Sequence, residues 1–153
     1  MRILHHLWLS PQCRKVRIVL LEKNIEFELR VEKVWERRES FLALNPAGEV
    51  PVLIEPDGVA LSDGTAICEF LDETQPDPPL FAHHPRENAE VRRLVAWFNC
   101  KFNHEVTENL VGEKVMRRFL GLGEPRSSAI RAGLKNIHTH LDYITYLKHR
   151  SFG

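Results

Sequence analysis

Three short stretches of the 153-residue chain carry residue types that could do chemistry. Ser10-Pro11-Gln12-Cys13 places a hydroxyl and a thiol at a helix start. Ser10 is a natural N-cap, and Pro11 falls at the first helical position, where its missing N–H costs nothing. A hydroxyl and free N–H groups at a helix N-terminus favour a thiolate over a thiol, by hydrogen bonding and dipole, and make a sulfur nucleophilic near neutral pH. Ser-x-x-Cys is half of a Cys-x-x-Cys redox pair, and one thiol closes no local disulfide. Val50-Pro51 stands at the entrance of a short β-branched run. Asp63-Gly64 opens the helix after a hairpin. A Val-Pro dipeptide, a hairpin and an acid at a helix start together offer exposed backbone donors and acceptors beside a carboxylate, which suits a small-molecule site.

The elements that position these residues are legible in order. Arg2 to Leu9 reads as a strand ending in the Ser10-Pro11 signal, and the helix that follows runs through Cys13, Val16, Val19 and Leu20 to near Asn24. Ile25 to Val31 alternates apolar and polar as a half-buried strand does. Glu36 to Leu44 reads as one short helix. Asn45-Pro46-Ala47-Gly48 is a turn, because Pro fixes φ and Gly tolerates angles that other residues resist. Val50 to Ile54, with its proline near the start, is a strand; Pro56-Asp57-Gly58 turns it back into Val59-Ala60-Leu61. Thr65 to Leu71 is then a helix with apolar residues at 66, 67, 70 and 71 on one face. The order βαβαββα is the thioredoxin-like arrangement, with a right-handed first crossover.

The pattern N-P-x-G-x-V-P-V-L, hairpin, acid, then x-A-I-x-x-F-L resembles the thioredoxin-like domain of the glutathione S-transferase (GST) family over about the first eighty residues. The resemblance implies a cis Val50-Pro51 bond, with the Val50 backbone pairing the cysteinyl part of glutathione. It implies that Asp63 and Gly64 hold the γ-glutamyl end, and that Ser10 points at the glutathione sulfur. Glutathione then acts as a substrate, conjugated to a small electrophile, in a homodimer. Ser10 keeps two readings side by side: a helix cap, and a hydroxyl that activates a thiolate. The family usually carries Ser after the acid, where Gly64 offers only its N–H, and many relatives carry Lys or Gln where Glu49 stands. More loosely, Trp35-Glu36-Arg37-Arg38 and Trp97-Phe98-Asn99-Cys100-Lys101-Phe102 resemble bacterial GST-like cell-division proteins that bind the filament protein FtsZ. That gives the alternative: a non-enzymatic scaffold, with Trp35 as an exposed anchor for its partner.

Composition bounds the rest. Lys plus Arg equal Asp plus Glu at 21 each, which argues against nucleic acid as a partner. Three cysteines without paired metal spacing point to free thiols in a reducing, cytoplasmic setting, with Cys13, Cys68 and Cys100 packed in apolar surroundings. No apolar run approaches the length of a membrane helix. His138 and His140 are two apart on a helix and His83-His84 sit in a linker, so no metal site is expected.

The domain reading is 1–76 thioredoxin-like, 77–85 a Pro-rich linker, and 86–153 an all-helical GST-type C-terminal domain. In the last, Val91, Leu94, Val95, Phe98, Phe102, Val106 and Leu110 step through a long amphipathic helix. After Gly121-Leu122-Gly123-Glu124-Pro125, a further helix keeps Ile130, Leu134, Ile137, Leu141, Ile144 and Leu147 on one stripe. Ser151-Phe152-Gly153 brings no cap and no further helix, so the C-terminal domain is expected to be partial and to expose apolar surface.

Overall fold

The computed structural model describes residues 1–152, and side chains as far as Arg150; the reading at Gly153 lies outside the described residues. The chain divides into two compact units, the first Met1–Asn88 and the second from Ala89 onward.

The first unit is built on a four-stranded mixed sheet in the order β2-β1-β3-β4. Strand β1 (Arg2–His6) pairs parallel with β2 (Phe27–Val31) and antiparallel with β3 (Val52–Ile54), which pairs antiparallel with β4 (Ala60–Ser62). Parallel pairing of β1 and β2 requires a crossover, supplied by helix α1 (Pro11–Glu22). Helix α3 (Gly64–Thr74) follows β4. Register sorts the two faces, because residues directly opposite in a sheet point the same way. Leu4 opposite Leu53 faces α1 and α3, and with Val16, Val19, Leu20, Ile25, Ile67, Cys68 and Leu71 forms the core. His5 opposite Val52 faces the other side, where Phe41 of α2 (Glu39–Leu44) meets the His5 ring at 5.7 Å between centroids. The architecture is the thioredoxin-like one.

Two local details depart from the sequence reading. The stretch expected as one helix from Glu36 to Leu44 is a single 3-10 turn (Val34–Glu36) and then α2. Arg37 breaks it by adopting φ 46°, and the exposed Arg38 reaches the buried carboxylate of Glu32 with its guanidinium. Trp35 is half-buried on that turn rather than exposed.

Behind α1, Lys23 is a buried cation with every ammonium proton placed. Its Nζ donates to Asp72 Oδ1 at 2.7 Å and to the carbonyls of Gln75 at 2.6 Å and Pro78 at 2.9 Å. Asp72 also accepts the backbone N–H groups of Leu80 and Phe81. This cluster ties the ends of α1 and α3 to the Pro-rich segment, which contains a second cis bond at Asp77-Pro78. Burial alone would raise the Asp72 pKa, but Lys23 and the two amides outweigh it and hold it below its ordinary value.

The second unit is helical. Helix α4 (Pro85–Ala96) continues without a break into Trp97–Met116, whose backbone has π-type i→i+5 bonding, and then into α5 (Arg117–Phe119). Helix α6 (Ser127–Phe152) packs back against the π segment. Gly133 makes the close approach possible: a Cβ there would sit 2.9 Å from both Asn109 Cβ and Leu110 Cγ. The Glu105 carbonyl accepts from the side-chain amides of Asn109 at 2.9 Å and Asn136 at 3.0 Å. His140, only 2% exposed, takes the Trp97 indole N–H on Nδ1 at 3.2 Å, which leaves its Nε2–H to donate to Glu105 at 2.8 Å. Glu113 is buried and accepts both the backbone N–H and the guanidinium of Arg126 just ahead of α6. The face of α6 that packs is therefore Gly133, Asn136, Ile137 and His140. Leu134, Leu141 and Ile144 of the expected stripe are exposed. So is Cys100, which the apolar-face reading had placed inside.

Three stability tests follow from these contacts. Lys23→Ala leaves Asp72 buried without its cation and should lower the unfolding free energy by about 3–5 kcal/mol in denaturant titration, the cost of breaking a buried pair. A loss under about 1 kcal/mol would contradict the clasp. Because Asp72 titrates lower in the folded state, its contribution is present above its unfolded value and lost as pH falls through the folded one. Stability below about pH 4 should accordingly fall less steeply in Asp72→Asn than in the parent. In the second unit Gly133→Ala forces α6 off Asn109 and Leu110 and should cost about 1–3 kcal/mol.

Candidate functional site

Ser10 caps α1 as its position predicts: Oγ accepts the Cys13 N–H at 3.2 Å, and Pro11 is the first helical residue. The hydroxyl proton is still free to donate, so capping and a role toward a bound thiolate are compatible in one geometry. The loop before it is held by its own aromatic and cationic contacts. Arg17 donates to His6 Nδ1 at 2.9 Å and lies 5.0 Å over the Trp8 ring, which stands edge-on to His6. Burial, reinforced by the Arg17 charge, pushes His6 below its ordinary pKa and keeps it neutral.

Cys13 is buried, and burial raises its thiol pKa despite the Ser10 contact. Cys68 is pushed up to about 11, again chiefly by burial. Neither is a thiolate at neutral pH, which leaves both as packing residues.

Val50 and Pro51 lie between the turn and β3, and the bond joining them is cis. Asn45 supports the turn from within. Its Nδ2 donates to the Glu49 carbonyl at 2.9 Å and its Oδ1 accepts the Ala47 N–H at 3.2 Å. Among the described residues the Val50 backbone N–H and carbonyl have no hydrogen-bond partner.

Asp63 caps α3. Its Oδ1 accepts from the N–H groups of Thr65 at 2.9 Å and Ala66 at 3.0 Å, and the second oxygen stays open to solvent. The residue holds φ 74°, a conformation that L side chains resist and that tends to mark functional sites. Gly64 behind it is buried because Gln12 lies on it: Gln12 Oε1 is 2.7 Å from where a Cβ on Gly64 would be. Lys15 Nζ donates to Thr65 Oγ1 at 3.1 Å across the same seam.

These contacts join two parts of the predicted site. The residue two after Ser10 touches the residue one after Asp63, so the starts of α1 and α3 lie side by side. Gln12 and Lys15 are the site neighbours that sequence reasoning missed, since nothing in their local pattern announces a partner some fifty residues away. On the opposite face of the sheet, His5, Glu32, Arg38, Ser40 and Phe41 line a separate cleft of about 580 Å³. No group of side chains suited to a metal ion occurs among the described residues.

Comparison with known proteins is decisive on kinship. Residues 9–74 match the family model of the glutathione S-transferase N-terminal domain. A crystal structure of a glutathione S-transferase from Rhodospirillum rubrum F11 superposes with a TM-score of 0.95 at 55% identity, covering 98% of this chain and 68% of that one. The chain belongs to the glutathione S-transferase family. The FtsZ-localized protein A of Caulobacter vibrioides is 40% identical over 149 residues, 95% of this chain and 65% of that protein. The structure of FzlA from C. crescentus gives a TM-score of 0.92 at 40% identity, covering 97% of this chain and 67% of that one. This GST-family chain thus spans less than two thirds of the length of that Caulobacter relative. No helix among its described residues is long and apolar enough to cross a membrane.

The thiol environments make a direct prediction. Exposed Cys100 should react rapidly with a neutral thiol reagent at pH 8, while Cys13 and Cys68 react only on unfolding. One fast equivalent is expected; two or three would contradict the burial of the two helix cysteines.

Proposed function

We propose that this chain binds glutathione and presents its thiolate to a small electrophile, working as a cytoplasmic homodimer of transferase type. The observation that carries the reading is the seam at which Gln12 covers Gly64, because it sets the Ser10 hydroxyl and the Asp63 carboxylate at neighbouring helix starts. In this reading the Val50 N–H and carbonyl pair with the cysteinyl backbone of the tripeptide as a short strand would. Asp63 takes the γ-glutamyl ammonium through its open oxygen, and Pro51 and Gly64 complete the wall. The Ser10 O–H donates a hydrogen bond to the thiolate sulfur and keeps its proton, and the dipole of α1 adds to that stabilisation. Hydrogen bonding to the charged form lowers a thiol's pKa, so a larger share of the bound sulfur is nucleophilic at neutral pH. No metal enters the scheme.

A second reading keeps the fold without the chemistry: a scaffold for a division filament protein. It is favoured by the 40% identity, across 95% of this chain, to a protein named for its localisation with FtsZ. The Trp97–Phe102 segment that suggested it in the sequence serves inward contacts as well: Trp97 and Phe102 both pack on His140. A scaffold of this kind should co-sediment with FtsZ filaments, and a chain that stays in the supernatant at saturating filament would overturn this reading.

Titration calorimetry separates the readings. A substrate-grade glutathione affinity, on the order of micromolar to millimolar, is expected. Asp63→Ala should weaken binding, because it contacts a part of the tripeptide that does not react. Ser10→Ala should leave binding nearly intact and cost about a hundredfold or less in turnover with a generic electrophile, the worth of one hydrogen bond to a thiolate. No saturable heat at millimolar glutathione would overturn the enzyme reading.

A further inference from the structure

The geometry points to a second binding site, for a small aromatic carboxylate that also carries a hydroxyl group, in the cleft on the sheet face away from α1 and α3. That cleft, about 580 Å³, has the size of a small-molecule pocket. Helix α2 is six residues long, and its Phe41 packs on His5 of the inner strand β1. The edge strand β2 leaves Arg30 and Val31 exposed beside it. None of the residues assigned above to glutathione lines this cleft, so the inference stands apart from that reading.

His5 carries the argument. It is 8% exposed, yet its imidazole makes no hydrogen bond among the described residues, and Nδ1 is buried without a partner. Glu32 Oε2 lies 3.8 Å from Nδ1, too far for a hydrogen bond but close enough to draw the ring proton to that side. Burial outweighs the pull of Glu32 and, with the Arg30 and Arg38 charges, holds the ring neutral. Nε2 is thus an acceptor that lacks a donor, and a ligand hydroxyl supplies one. The charges around it are unevenly used. Glu32, 1% exposed, is closed off by Arg38, which also reaches Ser40 Oγ at 3.4 Å. Arg30 stands opposite His5 in the strand register, so the two side chains share this face. Its Nε donates to Glu28 at 2.7 Å, and both terminal nitrogens remain, the end of a guanidinium that a carboxylate can grip in two places. Val31 and Leu44 are exposed apolar residues of the lining, and with the Phe41 and His5 rings they suit a flat apolar body between the two polar ends.

The test is calorimetry at pH 7 on the full chain with three probes: 6-hydroxy-2-naphthoate, 2-naphthoate, which lacks the hydroxyl, and 2-naphthol, which lacks the carboxylate. The wild type should bind the first saturably, and about tenfold or more tighter than 2-naphthol, as one hydrogen-bonded charge pair gives. Arg30→Met should abolish that preference while leaving 2-naphthol binding unchanged. His5→Phe keeps a ring against Phe41 and removes the acceptor, so it should abolish the preference for 6-hydroxy-2-naphthoate over 2-naphthoate. Arg30 is exposed, and unchanged thermal unfolding of Arg30→Met keeps folding out of the comparison even where His5→Phe destabilises the chain. Backbone amide shifts should map to Arg30, Val31 and Leu44. No saturable binding at millimolar probe overturns the inference. So does an affinity for 6-hydroxy-2-naphthoate that Arg30→Met leaves unchanged, which would place the probe at the Ser10 and Asp63 site or elsewhere.

Discussion

The first unit depends on how α1 is pinned to α3. At one end Gln12 lies on Gly64 and Lys15 donates to Thr65; at the other the buried Lys23 ammonium reaches Asp72 and two carbonyls beyond it. The paired positions rise together along both helices, so the two run in the same direction and their N-termini meet on one side. Free N–H groups and positive dipole ends gather there. The apolar contacts of Leu4, Leu20, Leu53, Ile67 and Leu71 supply adhesion that is not directional. The polar contacts at either end fix the register, and register decides whether Ser10 and Asp63 can serve one ligand.

The helical unit uses a different device. Its π segment and α6 approach closely at Gly133, and a buried imidazole with one acceptor and one donor nitrogen joins Trp97 to Glu105. The geometry admits one neutral tautomer, so the network selects a single register between the two helices. Glu113 repeats the idea at the start of α6, where it satisfies the Arg126 N–H and guanidinium together.

Much of this was legible locally. Ser10 before Pro11, and Asp63 after a hairpin, are capping signals whose chemistry operates over three residues, and both caps form where expected. The alternating strand and the proline at a strand entrance are equally local. What the sequence withheld is tertiary. Gln12 on Gly64, Lys23 with Asp72, and His140 with Glu105 each join polar residues far apart in the chain, and no periodicity marks them. Cys100 is exposed because it lies two residues from both Phe98 and Phe102, off the stripe that those residues continue into Val106 and Leu110. Arg37 at φ 46° broke the expected helix with a residue type that gives no warning of it.

The central claim is that one ligand spans the Val50 backbone and the start of α3. Amide NMR on the uniformly labelled chain, titrated with glutathione, tests it most directly. The account predicts saturable shifts of the Val50 and Gly64 amides, following a single dissociation constant, with the α6 amides unmoved. Shifts confined to other residues, or none at millimolar ligand, would contradict it.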